Sequence, residues 1–142
     1  MQPPDPDTLL VLREWVERAD ADLHVAEQLA AEAALNLRVR EIAGFHCQQA
    51  AEKYLKALLT HFQIEFPKTH DLQVLLALLD RVDPRWAVAM READWLSPFG
   101  AKVRYPGDTP EMLPGDERKA LDLARTVKCV VSSILDTPLA PK

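Results

Sequence analysis

Prolines divide this chain into segments that favour helices. The eleven prolines fall at positions 3–6, 67, 84, 98, 106–114 and 138–141. Because proline interrupts helices and central strands, regular structure is expected between these points. The intervening segments contain no alternating run of β-branched residues, and the whole chain has only four glycines. We therefore expect an all-α fold, an up-and-down antiparallel bundle of about five helices, formed as one domain by the 142 residues.

Apolar residues that recur at steps of three and four place these helices along the chain. We expect them from about 5–8 to 36, from 38 to 63, from within 68–72 to 81, from 84 to 96 and from 116 to 135. The last helix has one clear apolar side, formed by Leu121, Ala124, Val127, Val131 and Ile134. Asp7 or Thr8 is expected to cap the first helix, and Thr69 the third, where Asp71 suits the positive end of the helix dipole.

The net charge and composition of the chain exclude several classes of protein. The net charge of −5 gives no general basic surface, so any contact with nucleic acid needs a local patch. The sequence contains neither a signal-peptide pattern nor an apolar run of the ~18 residues that a membrane span needs. We expect a cytoplasmic protein with Cys47 and Cys129 as buried thiols, and a disulfide between two helices as the alternative. The four histidines form no metal-binding motif, and no cofactor is expected.

The segment FHCQQAAEKYLKALL at 45–59 combines strong helix-forming residues with a polar stripe. About 100° of rotation per residue places the stripe residues on one side of the helix: His46, Gln49, Lys53 and Lys56. The expected apolar side consists of Ile42, Phe45, Ala51, Leu55, Leu58 and Phe62. The stripe is either the water-facing side of an amphipathic helix, with Glu52 and Lys56 as a modest surface ion pair, or the lining of a groove or subunit interface.

Three motifs in a fixed order make the chain resemble a known family. QAAEKYLKA at 49–57 fits the pattern QxxEKxLKA, THDL follows at 69–72, and RYP stands at 104–106 in a long connection between the last two helices. Over about residues 8–136 the chain resembles the HEPN domain (higher eukaryotes and prokaryotes nucleotide-binding), in its prokaryotic group. The resemblance implies a helical bundle that forms a homodimer. It also implies a minimal nucleotidyltransferase as the partner protein, in a toxin–antitoxin-like module.

The resemblance also raises the question of ribonuclease activity. Many HEPN proteins cut RNA without a metal, through an Arg-x4–6-His site in which Arg stabilises the developing phosphorane charge and His acts as general acid or base for the ribose 2′-OH. Here Arg104 stands in the expected region, but no histidine follows it. Arg18 and His24, and Arg40 and His46, have the required spacing, although about 120° separates the members of each pair around a helix. Arg104 and His46 are the candidate catalytic residues, and the activity stays open.

The resemblance and the stripe together suggest a groove that binds nucleotide or RNA. Gln49, Lys53 and Lys56 would form one wall, and Arg104 and Tyr105 the other. Lysine and arginine would contact phosphate, and tyrosine would stack on a base. Long ordered loops such as the 97–115 connection are often functional, which favours this location.

Each of these residues also has a structural interpretation. Arg104 could pin the connection to Glu52 or another helix carboxylate, and Tyr105 could be a half-buried anchor. Lys68 and His70 could be capping or solvent-facing groups at the third helix. The alternative function is a non-catalytic helical module for dimerisation and partner binding, without nucleotide.

Overall fold

A computed structural model of the chain describes residues 3–32, 36–100, 105–107 and 111–136. In these ranges the elements follow the order α1 (Pro6–Glu32), α2 (Leu37–His61), α3 (Leu72–Asp80), α4 (Pro84–Met90), a 3-10 helix (Arg91–Phe99) and α5 (Asp116–Leu135), and they include no strand. The prediction of an all-α bundle of about five helices is confirmed. None of the described helices combines the length and the apolar content that crossing a membrane requires.

The core is built around α2, which packs against α1, α3, α5 and the 3-10 helix. Its segment 50–59 is buried on almost every side: Ala50, Ala51, Tyr54, Leu55, Ala57, Leu58 and Leu59. The Tyr54 hydroxyl donates a hydrogen bond to Asp20 of α1. Burial and this hydrogen bond hold the pKa of Tyr54 well above its usual value. The predicted apolar side of α5 is confirmed, because all of its residues are buried or pack against the core: Leu121, Ala124, Val127, Val131 and Ile134.

The first two helices begin at capping residues that the sequence analysis did not identify as caps. Asp5, rather than Asp7 or Thr8, supplies the cap of α1, since its side chain accepts a hydrogen bond from the backbone N–H of Thr8 at 2.8 Å. Asn36 was expected at the end of the first helix. It instead caps α2, where its side chain accepts hydrogen bonds from two backbone N–H groups of the first turn.

The third helix is capped by Asp71, which confirms the expected role of this carboxylate at the helix start. Its side chain accepts a hydrogen bond from the backbone N–H of Gln73 at 3.0 Å. The prediction that Thr69 is the cap is wrong. The Thr69 hydroxyl accepts a hydrogen bond from the backbone N–H of Asp71 at 3.0 Å. It therefore holds the backbone of the capping residue in place.

The predicted fourth helix is shorter than expected. The α-helix ends at Met90 and the chain continues to Phe99 as a 3-10 helix, so the predicted end at 96 is wrong. Buried side chains recur here at intervals of three residues: Met90, Ala93, Leu96 and Phe99. Because a 3-10 helix has three residues per turn, this spacing buries one side chain from every turn. Pro98 also lacks the N–H group that a continued α-helix needs.

The two cysteines have free thiols in different environments. Cys47 is buried on α2, and burial raises the pKa of its thiol to about 12. Cys129 is exposed on α5, so the prediction that both thiols are buried is wrong for this one. Position 129 lies two residues from both Val127 and Val131, which turns its side chain away from these buried valines.

We predict that the two thiols react with Ellman's reagent at very different rates. In the native protein at neutral pH, Cys129 should react alone, because attack requires an accessible thiolate. Cys47 should react only in denaturant. Cys47→Ser and Cys129→Ser variants assign the two reactions. Equal rates in the native state would contradict the described packing of α2.

Candidate functional site

The polar stripe of α2 is not the water-facing side of the helix. Gln49 and Lys56 are buried, while His46 and Lys53 are partly accessible. Polar groups covered by protein need partners within it, and these four side chains have them. Ile42, which was expected on the apolar side of the helix, is instead 48% exposed. The amphipathic interpretation of this helix, with one apolar and one wet side, is therefore wrong.

Glu52 is the centre of the first polar cluster, and its side chain is almost completely buried. Its Oε1 lies 2.8 Å from His70 Nδ1 and accepts a hydrogen bond from Gln48 Nε2 at 3.1 Å. Its Oε2 accepts a hydrogen bond from Lys56 Nζ at 3.0 Å. The expected ion pair between Glu52 and Lys56 is thus present, but it is buried, where the loss of one partner costs far more than on the surface.

Gln48 extends this cluster to two neighbouring elements. Its Nε2 also donates a hydrogen bond to the backbone carbonyl oxygen of His70 at 2.9 Å, and its Oε1 accepts one from Gln49 Nε2 at 2.7 Å. A Cβ atom added at Gly100 would lie 2.4 Å from Gln48 Cδ, so the chain after the 3-10 helix runs directly against this amide. Gln48 and Glu52 therefore hold the start of α3 and the end of the 3-10 helix against α2.

The two residues flanking Thr69 behave differently. The His70 side chain is 54% exposed, yet both its Nδ1 and its backbone carbonyl oxygen contact the α2 cluster. The interpretation of His70 as a merely solvent-facing group is therefore wrong. Lys68 is exposed, as the structural interpretation expected.

Lys56 is enclosed by aromatic rings as well as by its carboxylate partner. Its Nζ lies 5.4 Å from the centroid of the Trp15 ring and 5.8 Å from that of the Phe66 ring. Both distances are within the range of favourable cation–π contacts. An ammonium group enclosed in this way is not available to a phosphate. The structure therefore does not place Lys56, or the buried Gln49, on an accessible wall of a groove.

Asp22 of α1 forms the second polar cluster. Its Oδ1 lies 2.9 Å from His46 Nδ1, and its Oδ2 accepts a hydrogen bond from Lys53 Nζ. Two of the predicted site residues are thus brought together by a carboxylate that sequence reasoning missed. The sequence contains only a weak indication of this contact. Asp22 lies on the same side of α1 as Trp15, but no motif links it to α2.

The Asp22 cluster has two chemical consequences. A carboxylate at Nδ1 fixes the ring of His46 and leaves Nε2 as the position for proton transfer. The same carboxylate balances the positive charge of Lys53, which weakens the attraction of Lys53 for phosphate.

Within the described ranges, no three His, Cys, Asp or Glu side chains are grouped so as to hold a metal ion.

Neither Arg-x5-His pair is held together as a joint site. Arg40 turns toward the start of α5 and His46 toward α1, so they contact different elements. Arg18 pairs with an acidic neighbour on its own helix, and His24 is exposed.

The connection between the 3-10 helix and α5 is attached to α2 at both of its described ends. Before it, Gly100 lies on Gln48. After it, Met112 is buried, and its carbonyl oxygen accepts a hydrogen bond from Arg40 Nη1 at 2.9 Å. Arg40 Nε also lies 3.3 Å from Glu117 Oε2 of α5 in a buried ion pair. These contacts and those of the first cluster fall on one row of α2 at four-residue spacing: Arg40, Gly44, Gln48 and Glu52.

The structure describes only one of the two residues of the second predicted wall, Tyr105. Tyr105 is 68% exposed, so it is not the half-buried anchor considered as an alternative. Arg104, and with it the alternative contact to Glu52, lies outside the described residues. Gln48, beside the start of the connection, and Lys53 point about 140° apart around α2. The described residues thus do not bring the stripe and the connection together as two facing walls.

The all-α fold agrees with the comparison with known families. The HEPN domain profile matches residues 12–135, from the first turns of α1 to the last residue of α5. The chain belongs to the HEPN domain family. The other two comparisons match no curated protein and no solved structure. In this HEPN domain the first two motifs meet in space, since Glu52 of the first contacts His70 of the second.

We predict that the buried ion pair of Glu52 and Lys56 contributes strongly to stability. Lys56→Met should lower the free energy of unfolding by about 3–5 kcal/mol, because it leaves a buried carboxylate without its cation. Urea denaturation followed by circular dichroism measures the change. The matched control is Arg18→Met, which removes an exposed ion pair with Glu14 and should cost less than about 1 kcal/mol. Equal losses for the two variants would contradict the burial of Lys56.

We also predict that Gly100 and Gln48 are energetically coupled. Gly100→Ala should destabilise the protein by about 1–3 kcal/mol through overpacking against the Gln48 amide. The φ of Gly100 is −82°, which alanine adopts readily, so backbone strain does not contribute. In a Gln48→Ala background most of the Gly100→Ala cost should disappear. An unchanged cost in the double variant would show that the two residues are not in contact.

Proposed function

We propose that this HEPN domain is the partner protein of a minimal nucleotidyltransferase in a toxin–antitoxin-like module, and that it binds nucleotide or RNA through the connection that carries Arg104 and Tyr105. The observation that supports this location is the difference in accessibility between the two predicted walls. Tyr105 is exposed, whereas Lys56 is buried against Glu52. A ligand in solvent can therefore reach the Tyr105 ring but not the Lys56 ammonium group.

Arg104 and Tyr105 are suited to a small number of strong contacts. A guanidinium group offers two parallel N–H donors to one phosphate, and a tyrosine ring offers a face on which any base can stack. The chain has a net charge of −5, and long duplexes are bound through many cations at once. A mononucleotide or a short single-stranded RNA therefore fits this domain better than a duplex.

Metal-independent RNA cleavage is the second candidate function, favoured by the contact between His46 and Asp22. In this reaction a base removes the proton of a ribose 2′-OH, the 2′-oxygen bonds to phosphorus, and the bond from phosphorus to the 5′-oxygen breaks. The products are a 2′,3′-cyclic phosphate and a 5′-OH group, whose oxygen takes its proton from water. His46 Nε2 would take the proton, and Lys53 would face the phosphate charge. The neutralisation of Lys53 by Asp22 makes cleavage less well supported than binding.

Partner binding without nucleotide or RNA is the alternative to both. The two lysines predicted for the groove each have a carboxylate partner, Asp22 for Lys53 and Glu52 for Lys56. A module that binds only protein would have no need of free cations at these positions. The experiment that follows has to separate all three functions.

The test is a binding and cleavage assay with fluorescently labelled single-stranded RNA in EDTA. The proposal predicts RNA binding without cleavage, and about a tenfold loss of affinity in Arg104→Ala and in Tyr105→Ala with unchanged melting temperatures. The control is Lys53→Ala, which should bind nearly as well as the wild type because its charge is already balanced.

Three other outcomes would contradict the binding proposal. Cleavage that disappears in His46→Ala would assign the ribonuclease function to the Asp22 cluster. No affinity for RNA or for a mononucleotide, together with retained binding of the nucleotidyltransferase, would leave a protein-binding module. Loss of folding in Arg104→Ala would make this arginine structural.

A further inference from the structure

A cavity of about 490 Å³ lies between α1 and α5, at the level of Tyr54 on α2. Residues of all three helices line this α1–α5 cavity. Small-molecule sites are commonly clefts of about 300–1,000 Å³, and the space between the helices of a bundle is one of their usual locations. The α1–α5 cavity therefore has the size and the position of a ligand site.

The floor of the α1–α5 cavity is apolar. It is formed by five residues that are buried or half-buried: Leu12, Val16, Tyr54, Val131 and Leu135. The Tyr54 hydroxyl already donates its hydrogen bond to Asp20. The floor thus offers a ligand mainly apolar contacts, which favour an apolar group at this position.

Three charged residues that line the cavity are exposed, and they form its rim. Arg13 and Glu17 lie one turn apart on α1, and Asp136 ends α5. In the described part of the chain, none of these three side chains takes part in a hydrogen bond or an ion pair. Further along the same two helices, facing charges are paired: Asp20 with Lys128, and Glu27 with Arg125. The pairing of charges between α1 and α5 is therefore absent at the cavity.

The charges of the rim match a ligand that carries both signs. The guanidinium group of Arg13 can donate two parallel hydrogen bonds to one carboxylate. The carboxylates of Glu17 and Asp136 can accept hydrogen bonds from an ammonium group. Asp136 also lies at the negative end of the α5 dipole, and the last turn of this helix contains no basic residue. A cation from a ligand is favoured there for both reasons.

We propose that the α1–α5 cavity binds a free amino acid with a large apolar side chain. The ligand carboxylate pairs with Arg13, the ammonium group pairs with Glu17 and Asp136, and the side chain covers the apolar floor. An apolar molecule without charge would leave all three rim charges unmatched, and a ligand with one charge would leave part of them unmatched. This inference does not depend on nucleotide or RNA binding by the connection.

The test is isothermal titration calorimetry of the full chain with L-phenylalanine and L-leucine, and with analogues of phenylalanine that lack one charge. Phenethylamine lacks the carboxylate, and 3-phenylpropionate lacks the ammonium group. L-Phenylalanine should bind at least about tenfold more tightly than either analogue, because each missing charge removes charge-assisted hydrogen bonds. Glycine lacks the apolar side chain and should also bind more weakly than L-phenylalanine.

Variants of the rim assign each ligand charge to its partner. Arg13→Gln should weaken the binding of L-phenylalanine about tenfold and leave that of phenethylamine nearly unchanged. Glu17→Gln should weaken the binding of L-phenylalanine and phenethylamine but not that of 3-phenylpropionate. The matched controls are Arg18→Gln and Glu14→Gln, which make the same changes in an exposed ion pair of α1 outside the cavity and should leave the affinity unchanged.

Three outcomes would overturn the proposal. The first is no binding of L-phenylalanine or L-leucine at millimolar concentrations. The second is phenethylamine or 3-phenylpropionate that binds as tightly as L-phenylalanine, which would assign the cavity to ligands with a single charge. The third is binding that both rim variants leave intact, which would place the amino acid elsewhere.

Two further measurements keep the test decisive. If Glu17→Gln loses its helical content, Asp136→Asn takes its place with the same expected result, and Arg13→Lys replaces Arg13→Gln in the same way. RNA binding that fails while L-phenylalanine binds as expected would count against the proposed function alone.

Discussion

The arrangement of this domain depends on the carboxylate of Glu52, which lies buried on the central helix. Removing a carboxylate from water costs several kcal/mol unless cations and hydrogen-bond donors replace the lost water. Here Lys56 and Gln48 supply them from α2 itself, and His70 supplies the third contact from the residue pair that precedes α3. The start of α3 is therefore held where Glu52 needs it, and the same network holds the end of the 3-10 helix through Gln48 and Gly100.

This network changes the interpretation of the polar stripe on α2. The stripe of His46, Gln49, Lys53 and Lys56 reads as a surface for ligands, yet every member of it has a partner inside the protein. The row that organises the neighbouring elements is a different one, offset around the helix: Arg40, Gly44, Gln48 and Glu52. Because Gln49 and Lys56 of the stripe are buried, the proposed contact with nucleotide or RNA is placed at the connection near the exposed Tyr105.

Much of the fold was predictable because it depends on local signals. The proline positions and the apolar periods give five helices, and α5 has the predicted limits. The 3-10 helix was missed, although its buried residues recur every three positions. The candidate site was less predictable, since it depends on which helices meet. No pattern in the sequence indicates that Asp22 of α1 contacts His46 and Lys53. Nor does any pattern indicate that the amide of Gln48 leaves no room for a side chain at position 100. The motifs identified the family, but not which of their polar residues are buried.

Solvent exchange of the Gln48 side-chain amide protons, measured by nuclear magnetic resonance, is the most direct test of this account. The described structure gives the Gln48 Nε2 group two acceptors, Glu52 Oε1 and the carbonyl oxygen of His70, at a fully buried position. Its protons should exchange far more slowly than those of exposed Gln73, and they should lose this protection when Glu52 is replaced by alanine. Rapid exchange at Gln48 in the wild type, equal to that at Gln73, would contradict the buried network on which the rest of the structure depends.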